Sequence, residues 1–275
     1  MPRIRPIRTE AIVLRQRPLG DADRICVLFS PTRGRVEAVA KGVRRPLSKL
    51  AGHVEPLSRG QFGLARGRSL HVITDAQTLD AWPSLHDDVD RMTEALSMAE
   101  LVDRSTDLDA ASGPLYMLLK GSLDELARTS SPSVVRRWFT LRFLDQQGYQ
   151  PELDECVRCR AALGPEGNGY AAADGGAVCP NCHQAGVGQR LSSPVFRLLR
   201  YMRRSSCEAT TQVRVAADEA AELERHLRLS LEQALDGRLR SSSFTEALER
   251  AESYGHSAAS VAADREREEQ ERAAV

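Results

Sequence analysis

Four cysteines are the clearest candidates for chemistry in this chain. Cys156-x-x-Cys159 is followed, after 19 intervening residues, by Cys179-x-x-Cys182, a spacing typical of zinc sites. A two-residue spacer lets a tight turn direct both sulfurs at one ion, and two such turns complete a tetrahedron. Because four thiolates leave no open coordination position, the pattern predicts one structural zinc ion, Zn2+, and not a catalytic metal.

Two alternatives for this segment stay open from the residues alone. His183 adjoins Cys182 and could replace it as a ligand, although adjacency disfavours the exchange. Either CxxC pair could instead carry out redox chemistry, which the presence of two paired turns disfavours. Residues 152–188 have little apolar periodicity, so bound metal would supply folding energy that the segment lacks. The other cysteines are less informative: we expect Cys26 to pack in an apolar strand and Cys207 to be an incidental thiol.

A second candidate site is a basic loop at residues 41–49. It contains four cations, Lys41, Arg44, Arg45 and Lys49. Within it, Gly42 would let the backbone approach a ligand closely, and Pro46 would restrict the loop. Arg and Lys can bind phosphates without distinguishing bases, which gives salt-dependent, sequence-tolerant binding. The alternative is a solvated turn whose charges only aid solubility, and charge alone does not decide between the two.

The charge distribution favours the first interpretation. The 275-residue chain has 38 basic and 38 acidic side chains and no formal net charge. Residues 1–80, however, hold 15 Lys and Arg against 7 Asp and Glu, which leaves residues 81–275 with 23 against 31. The N-terminal part therefore has an excess of eight positive charges and the rest an equal negative excess. Such asymmetry is a hint of nucleic-acid contact.

The elements that must position these residues divide into two types. Residues 1–80 contain five short β-rich runs separated by turns, near 10–17, 24–29, 35–40, 58–66 and 69–79. Five such strands fit a small barrel, of which the OB-fold is an example that binds nucleic acid on one face and through its loops. From about residue 84, apolar residues recur every three or four positions, which predicts helices. One predicted helical face comprises Met92, Ala95, Leu96, Ala99 and Val102.

These patterns predict an α+β multidomain protein. Its N-terminal OB-fold β-barrel (1–80) would bind DNA and would be followed by a mainly α-helical domain in two parts (81–150 and 191–250). A four-cysteine zinc module (151–190) is inserted between those parts. Phe244–Leu248 could form a last helical turn, and the charged, Ala/Ser-rich tail at 251–275 is expected to be disordered.

Several classes of protein are disfavoured. No apolar stretch approaches the length of a membrane span, and no apolar run follows the basic first residues as in a signal peptide, so we expect a cytoplasmic protein without membrane contact. The sequence has neither a deaminase H-x-E motif nor a Gly-rich nucleotide loop followed by Lys-Ser/Thr. We therefore expect no enzymatic activity. A metal-dependent enzyme would have to use the acids nearest the cysteines, Asp154, Glu155, Glu166 and Asp174.

Particular motifs resemble the RecO family of bacterial DNA repair and recombination proteins. They are Glu10–Arg15, Gly20–Ile25 and Gly34–Arg45, above all Ala40-Lys41-Gly42-Val43-Arg44-Arg45, with Glu55-Pro56-Leu57 after the loop. The order of barrel, helices, CxxC…CxxC module and further helices is also similar, and the resemblance covers about residues 5–250. Some family members lack the cysteines, whereas all four are present here.

The resemblance implies a non-enzymatic recombination mediator. Such proteins bind single- and double-stranded DNA, anneal complementary strands and, with RecR, help place RecA on DNA coated by single-stranded-DNA-binding protein (SSB). RecR is the implied partner, SSB and RecA are further candidates, and the location would be cytoplasmic and nucleoid-associated. The family's basic barrel loop corresponds to Lys41, Arg44 and Arg45, and Lys49 lies in the same loop. Weaker DNA-binding candidates are Arg15, Arg17, Arg24 and Arg35.

One alternative function assumes the same fold but no direct DNA binding. The protein could be a zinc-stabilised interaction scaffold in which the barrel and the helices bind other proteins. An apolar groove between helices would then be the natural site for a partner's peptide tail.

Overall fold

A computed structural model describes residues 6–67 and 69–235. The predicted helical turn at 244–248 and the predicted disordered tail at 251–275 lie outside the described residues. Within the described part of the chain, no helix is both long enough and apolar enough to cross a membrane.

The N-terminal strands form a closed barrel. They are β1 (Ile7–Leu19), β2 (Asp23–Ser30), β3 (Gly34–Ala40), β4 (Arg59–Ala65) and β5 (His71–Asp80). The order around the barrel is β1-β2-β3-β5-β4, with β3 and β5 parallel and the other pairs antiparallel. This arrangement confirms the predicted OB-fold barrel.

The middle of β1 (Ala11–Leu14) and most of β2 (Ile25–Ser30) are buried on both faces, for two different reasons. One set of alternating side chains, including Val13, Cys26 and Leu28, fills the barrel interior, so Cys26 packs as expected. The opposite set, including Val27 and Phe29, is equally inaccessible because the helices cover the outside of the barrel at these strands. The Phe29 ring lies 6.1 Å from the ring of Tyr116, a residue of the helical part of the chain. A strand buried on both faces loses the polar alternation of a half-exposed strand.

Eight helices are present among the described residues. They are α1 (Pro83–His86), α2 (Val89–Ser105), α3 (Gly113–Leu126), α4 (Pro132–Gln146), α5 (Pro180–Gln184), α6 (Ser193–Arg204), α7 (Cys207–Thr211) and α8 (Ala217–Ala234). The predicted face of α2 is largely right, since Ala95, Ala99 and Val102 are buried, but Leu96 is 41% exposed.

Arg136 joins three helices at the centre of the helical part. It lies on α4, is buried, and forms ion pairs with Glu94 of α2 and Glu224 of α8. Burial opposes ionisation of Glu224, but the charges of Arg136 and Arg137 outweigh it and hold the pKa of this carboxyl below its usual value. A buried charge is tolerated only when it is paired in this way.

The cysteine segment is attached to α8 by one tyrosine. A small sheet has the order β7-β6-β8, built from β6 (Gly169–Ala171), β7 (Gly176–Val178) and β8 (Gln189–Arg190). Tyr170 of β6 is buried, its hydroxyl lies 2.7 Å from Ser230 Oγ, and its ring lies 4.8 Å from the ring of His226. Because Ser230 and His226 belong to α8, packing against the helix compensates for the segment's small core.

Candidate metal centre and nucleic-acid interface

The four predicted cysteine ligands lie together. The Sγ atoms of Cys156, Cys159, Cys179 and Cys182 are all within 4.8 Å of one another, and Cys159 Sγ and Cys179 Sγ are 3.6 Å apart. A tetrahedral zinc ion with Zn–S bonds of about 2.3 Å separates its sulfurs by about 3.8 Å. The cluster therefore has the dimensions and the donor set of a four-thiolate metal site.

Two turns aim these sulfurs. In the first, the Arg160 N–H donates to Cys156 O at 2.9 Å, and Arg160 has a φ of 63°. The second CxxC pair spans the start of α5, where the His183 N–H donates to Cys179 O at 2.9 Å. Each CxxC pair is thus fixed by backbone hydrogen bonds of its own, as the spacing predicted.

The thiols and their neighbours fit a metal and not a mixed ligand set. Burial raises the pKa of Cys156, but backbone N–H groups of Cys159, Cys179 and Arg158 lower it more strongly, to about 6. The Cys156 thiolate is therefore favoured near neutral pH, whereas a hydrogen bond with Cys159, burial and the other thiols raise the pKa of Cys182 to about 12. The His183 ring does not join the sulfur cluster, and its Nδ1 lies 3.1 Å from Val187 O.

Two of the four acids nearest the cysteines, Asp154 and Asp174, are paired with arginines, whereas Glu155 and Glu166 are exposed. Asp154 accepts hydrogen bonds from three arginines of α6, Arg200, Arg203 and Arg204. The Arg203 hydrogen bond is the main cause that lowers the pKa of the Asp154 carboxyl. Asp174 accepts from Arg158 at 2.7 Å. These carboxylates tie the cysteine segment together and attach it to α6.

The second candidate site, residues 41–49, is called the cationic loop below. It follows β3 and is held against the turn between β1 and β2. The Gly42 N–H donates to Asp23 Oδ1 at 2.7 Å, and the Arg44 N–H donates to Ala22 O at 3.0 Å. Val43, between them, is buried in the barrel core. The loop therefore has a fixed attachment at one end of the barrel.

The cations of this loop are unpaired. Its four basic side chains are exposed, and none has a carboxylate or other hydrogen-bonding partner among residues 6–67 and 69–235; they are Lys41, Arg44, Arg45 and Lys49. Unpaired cations on a defined backbone can bind phosphate without first breaking an internal ion pair.

Three of the strand arginines have a different environment, called the arginine seam below. Arg15 and Arg35 both bind Asp103, which extends from α2 and is nearly buried. Arg35 also pairs with Glu37 at 2.9 Å, and Arg17 pairs with Glu37 at 3.2 Å. The seam lies on the outside of β1 and β3, where the helices meet the barrel. Its positive charge is largely balanced by carboxylates of the same chain.

Comparisons with known proteins agree with this architecture. The family described as "Recombination protein O N terminal" matches residues 4–82, and "Recombination protein O C terminal" matches residues 86–243. The chain belongs to the RecO family.

Curated relatives bear the name DNA repair protein RecO. The relative from Roseiflexus sp. (strain RS-1) is 37% identical over 246 residues, which cover 88% of this chain and 86% of that protein. The relative from Heliobacterium modesticaldum is 33% identical over 256 residues, covering 90% of this chain and 92% of that protein. A relative from Dehalococcoides mccartyi (strain BAV1) is 32% identical, covering 83% and 90%. The similarity thus extends over the barrel, the helices and the cysteine segment.

Within this RecO-family chain, the eight predicted DNA-binding residues fall into different settings. The four loop cations share one exposed loop and have no partner in the part of the chain that the structure describes, while Arg15, Arg17 and Arg35 are paired in the seam. The eighth, Arg24, hydrogen-bonds to Gln16 and lies 4.0 Å from Glu55. All eight stay predictions of DNA contact.

Three residues that shape this RecO surface were not predicted from the sequence. Asp103 and Glu37 pair with the seam arginines; Asp103 lies in no motif, and Glu37 lies in the Gly34–Arg45 stretch, where its residue type does not indicate its partners. Leu47 projects from the cationic loop, where an apolar residue among cations was the available signal. The structure also gives Gly42 a role other than the expected one. It has a φ of 63°, a conformation that favours glycine, and its N–H is bonded to Asp23 and is not free for a ligand.

Proposed function

We propose that this RecO-family protein is a recombination mediator whose cationic loop binds single- and double-stranded DNA. It would anneal complementary strands and, with RecR, assist RecA loading on SSB-coated DNA. It would act without enzymatic turnover, in the cytoplasm and associated with the nucleoid. The observation that carries the DNA-binding part is a cluster of four exposed cations with no carboxylate partner in the described chain, on a loop fixed to an OB-fold barrel.

Electrostatics supports the loop as the phosphate site. Each phosphate that the protein neutralises releases condensed counterions, so affinity falls steeply with salt, by about 0.7 log units per contact and per log unit of salt for single strands. A cation that is already paired with a carboxylate contributes less to the free energy of DNA binding, because the existing ion pair must first be separated. The loop therefore offers the larger gain, although the whole chain carries no net charge.

Simultaneous substitution of Lys41, Arg44 and Arg45 by Ala tests this function. We expect single-stranded DNA affinity to fall about a hundredfold at low salt, and the salt slope to fall by about two. The measurement is fluorescence anisotropy over a series of salt concentrations, followed by a strand-annealing assay on the same variant. The matched control is Arg8→Ala, which removes an exposed barrel arginine that is paired with Asp75. Unchanged affinity and slope in the triple variant would refute the loop assignment.

One observation favours a second candidate function, the protein-binding scaffold. An open cavity of about 320 Å³ lies between α6 and the chain leading into α8, lined by Pro194, Arg197, Leu198, Tyr201, Val213, Arg214, Val215 and Glu219. Apolar side chains rimmed by arginines suit a peptide with apolar and acidic residues. If the wild-type protein binds no DNA but binds such a peptide, the scaffold function replaces the mediator function.

For the cysteine cluster we propose one structural zinc ion. Metal analysis of the purified protein should give about one zinc per chain, because four thiolates close the coordination sphere. Cys179→Ser should lose the metal and lower the thermal unfolding midpoint, while Cys26→Ser, in the barrel core, should keep the metal. A metal-free wild-type protein with an unchanged midpoint would contradict a structural role. Metal-dependent turnover of a nucleotide would instead indicate an enzyme.

A further inference from the structure

Leu47 lies at the outermost part of the cationic loop with its side chain almost entirely in solvent. It is 95% exposed, whereas the next most exposed leucine of the described residues, Leu108, is 57% exposed. Single exposed apolar residues are common on protein surfaces. Exposure alone therefore assigns no role to Leu47, and its setting has to be considered as well.

The loop presents Leu47 on a defined backbone. On one side Val43 is buried in the barrel core, and on the other Leu50 packs against the same core. Between them, the Ser48 N–H donates to Arg45 O at 3.0 Å and closes a turn around Pro46 and Leu47. Pro46, which directly precedes Leu47, has a fixed φ and so restricts the backbone there. A leucine held out in this way loses little conformational freedom when it meets a ligand.

The groups around Leu47 select the kind of ligand. Arg44, Arg45 and Lys49 are exposed and have no carboxylate partner in the described chain. A matching ligand has an apolar surface and negative charges a few ångströms away. An unpaired nucleotide has both, since its base has flat faces and its phosphates flank it. In a duplex those faces are already stacked, and inserting a side chain costs the stacking energy of the step.

We propose that Leu47 packs against an unpaired base of single-stranded DNA whose phosphates are bound by the loop cations. The proposal rests on the proposed DNA-binding function and adds a preference to it. Contact with the base makes binding to single strands stronger than binding to duplexes. The contact does not depend on base identity, because each base has a similar face.

The test uses full-length protein and two oligonucleotides of equal length, one with normal bases and one made of abasic sites. Both carry the same phosphates, and only the first offers bases. Leu47→Ala should weaken binding to the normal strand by about tenfold, in line with the burial of a leucine side chain. The same variant should bind the abasic strand as wild type does, with an unchanged salt slope on both. Leu47→Phe should retain the preference for bases, and Leu108→Ala should behave as wild type.

The outcomes separate this proposal from the function on which it rests. If Leu47→Ala loses nothing, or loses equally on both strands, Leu47 makes no base contact. The alanine triple variant at Lys41, Arg44 and Arg45 then still reports on phosphate binding, through its salt slope on either strand. If wild-type protein binds neither strand, both proposals fail. If Leu47→Ala binds DNA as wild type does but no longer binds a protein partner, Leu47 contacts that partner and the proposal is overturned. Equal thermal midpoints for the variants and wild type would show that folding is unaffected.

Discussion

The cationic loop and the arginine seam carry the same kinds of residue on the same barrel, yet they differ in what surrounds them. In the loop, four cations stand in solvent and no carboxylate of the described chain pairs with them. In the seam, Asp103 lies between Arg15 and Arg35, and Glu37 lies between Arg35 and Arg17. The first arrangement leaves charge available to a ligand, and the second uses charge to join α2 to the barrel.

The comparison shows why basic residues cannot be assigned to a ligand from their type alone. Asp103 is 88 residues from Arg15 and 68 from Arg35, so the sequence around these arginines does not indicate their partner. Whether an arginine serves folding or binding depends on the nearest carboxylate in space. The following variants test that distinction, beginning with the largest expected effect.

The most completely paired arginine should matter for stability and not for DNA. Arg136→Ala leaves Glu94 and Glu224 without their common partner, so we expect the free energy of unfolding to fall by about 3 kcal/mol. The deficit should shrink between about pH 7 and pH 5, because Glu224, left with Arg137 alone, loses the larger of the two charges that hold its pKa down against burial and takes up a proton more readily. Chemical denaturation at both pH values measures this. A deficit independent of pH, or none, would mean that packing and not charge explains the position of Arg136.

A seam arginine and a loop arginine should show opposite phenotypes. Arg35→Ala should lower the free energy of unfolding by about 1–2 kcal/mol, since Asp103 retains only Arg15, and should leave the salt slope of DNA binding unchanged. Arg44→Ala should leave the unfolding midpoint unchanged and reduce the slope by about 0.7. Denaturation and anisotropy on both variants check the pair. If Arg35→Ala also reduces the slope, the seam contributes to the DNA site and the distinction fails.

Removing a seam carboxylate should turn paired arginines into available ones. Asp103→Asn keeps the shape of the side chain but frees Arg15 and leaves Arg35 with Glu37 alone, so single-stranded DNA affinity should rise about threefold at low salt. The gain should vanish at high salt because it is electrostatic. Asp75→Asn, which frees exposed Arg8, is the control for a general charge effect. Equal gains in both variants would show that the seam has no special relation to the DNA site.

The smallest effect is expected from exchanging cations within the loop. Arg44→Lys with Arg45→Lys keeps every charge, and counterion release depends on charge. We expect an affinity within about twofold of wild type and the same salt slope in anisotropy titrations. A loss of tenfold or more would indicate bidentate or stacking contacts that lysine cannot make, and it would change the loop from a charge cluster to a shaped site.

Much of the fold could be predicted because its signals are local. The turns and apolar runs located all five strands, and helical periodicity located long helices, including the buried residues Ala95, Ala99 and Val102 of α2. The short helix α7 gave no periodic signal and was missed. Leu96 fits the apolar spacing of α2 but points to solvent, because periodicity identifies a helical face without determining how much of it a neighbouring element covers.

The two candidate sites also differed in how far the sequence predicted them. Each of the four clustered cysteines was predictable, since two CxxC turns and the spacing between them determine which sulfurs can meet. The basic residues were only partly predictable. A run such as Arg44-Arg45 is visible in the sequence. Whether a carboxylate lies beside it depends on which residues become its neighbours in the folded chain.

By itself the sequence determined the barrel, the helices, the four cysteines that cluster and the segment where positive charge accumulates, because these follow from alternation, periodicity, turn residues and short-range spacing. The tertiary structure decided which of the arginines are available. Charge interactions act through space over a few ångströms, so a carboxylate on α2 neutralises strand arginines that are far away along the chain. Only the folded chain shows that Arg15 and Arg35 are paired while Lys41, Arg44 and Arg45 meet no carboxylate among residues 6–67 and 69–235.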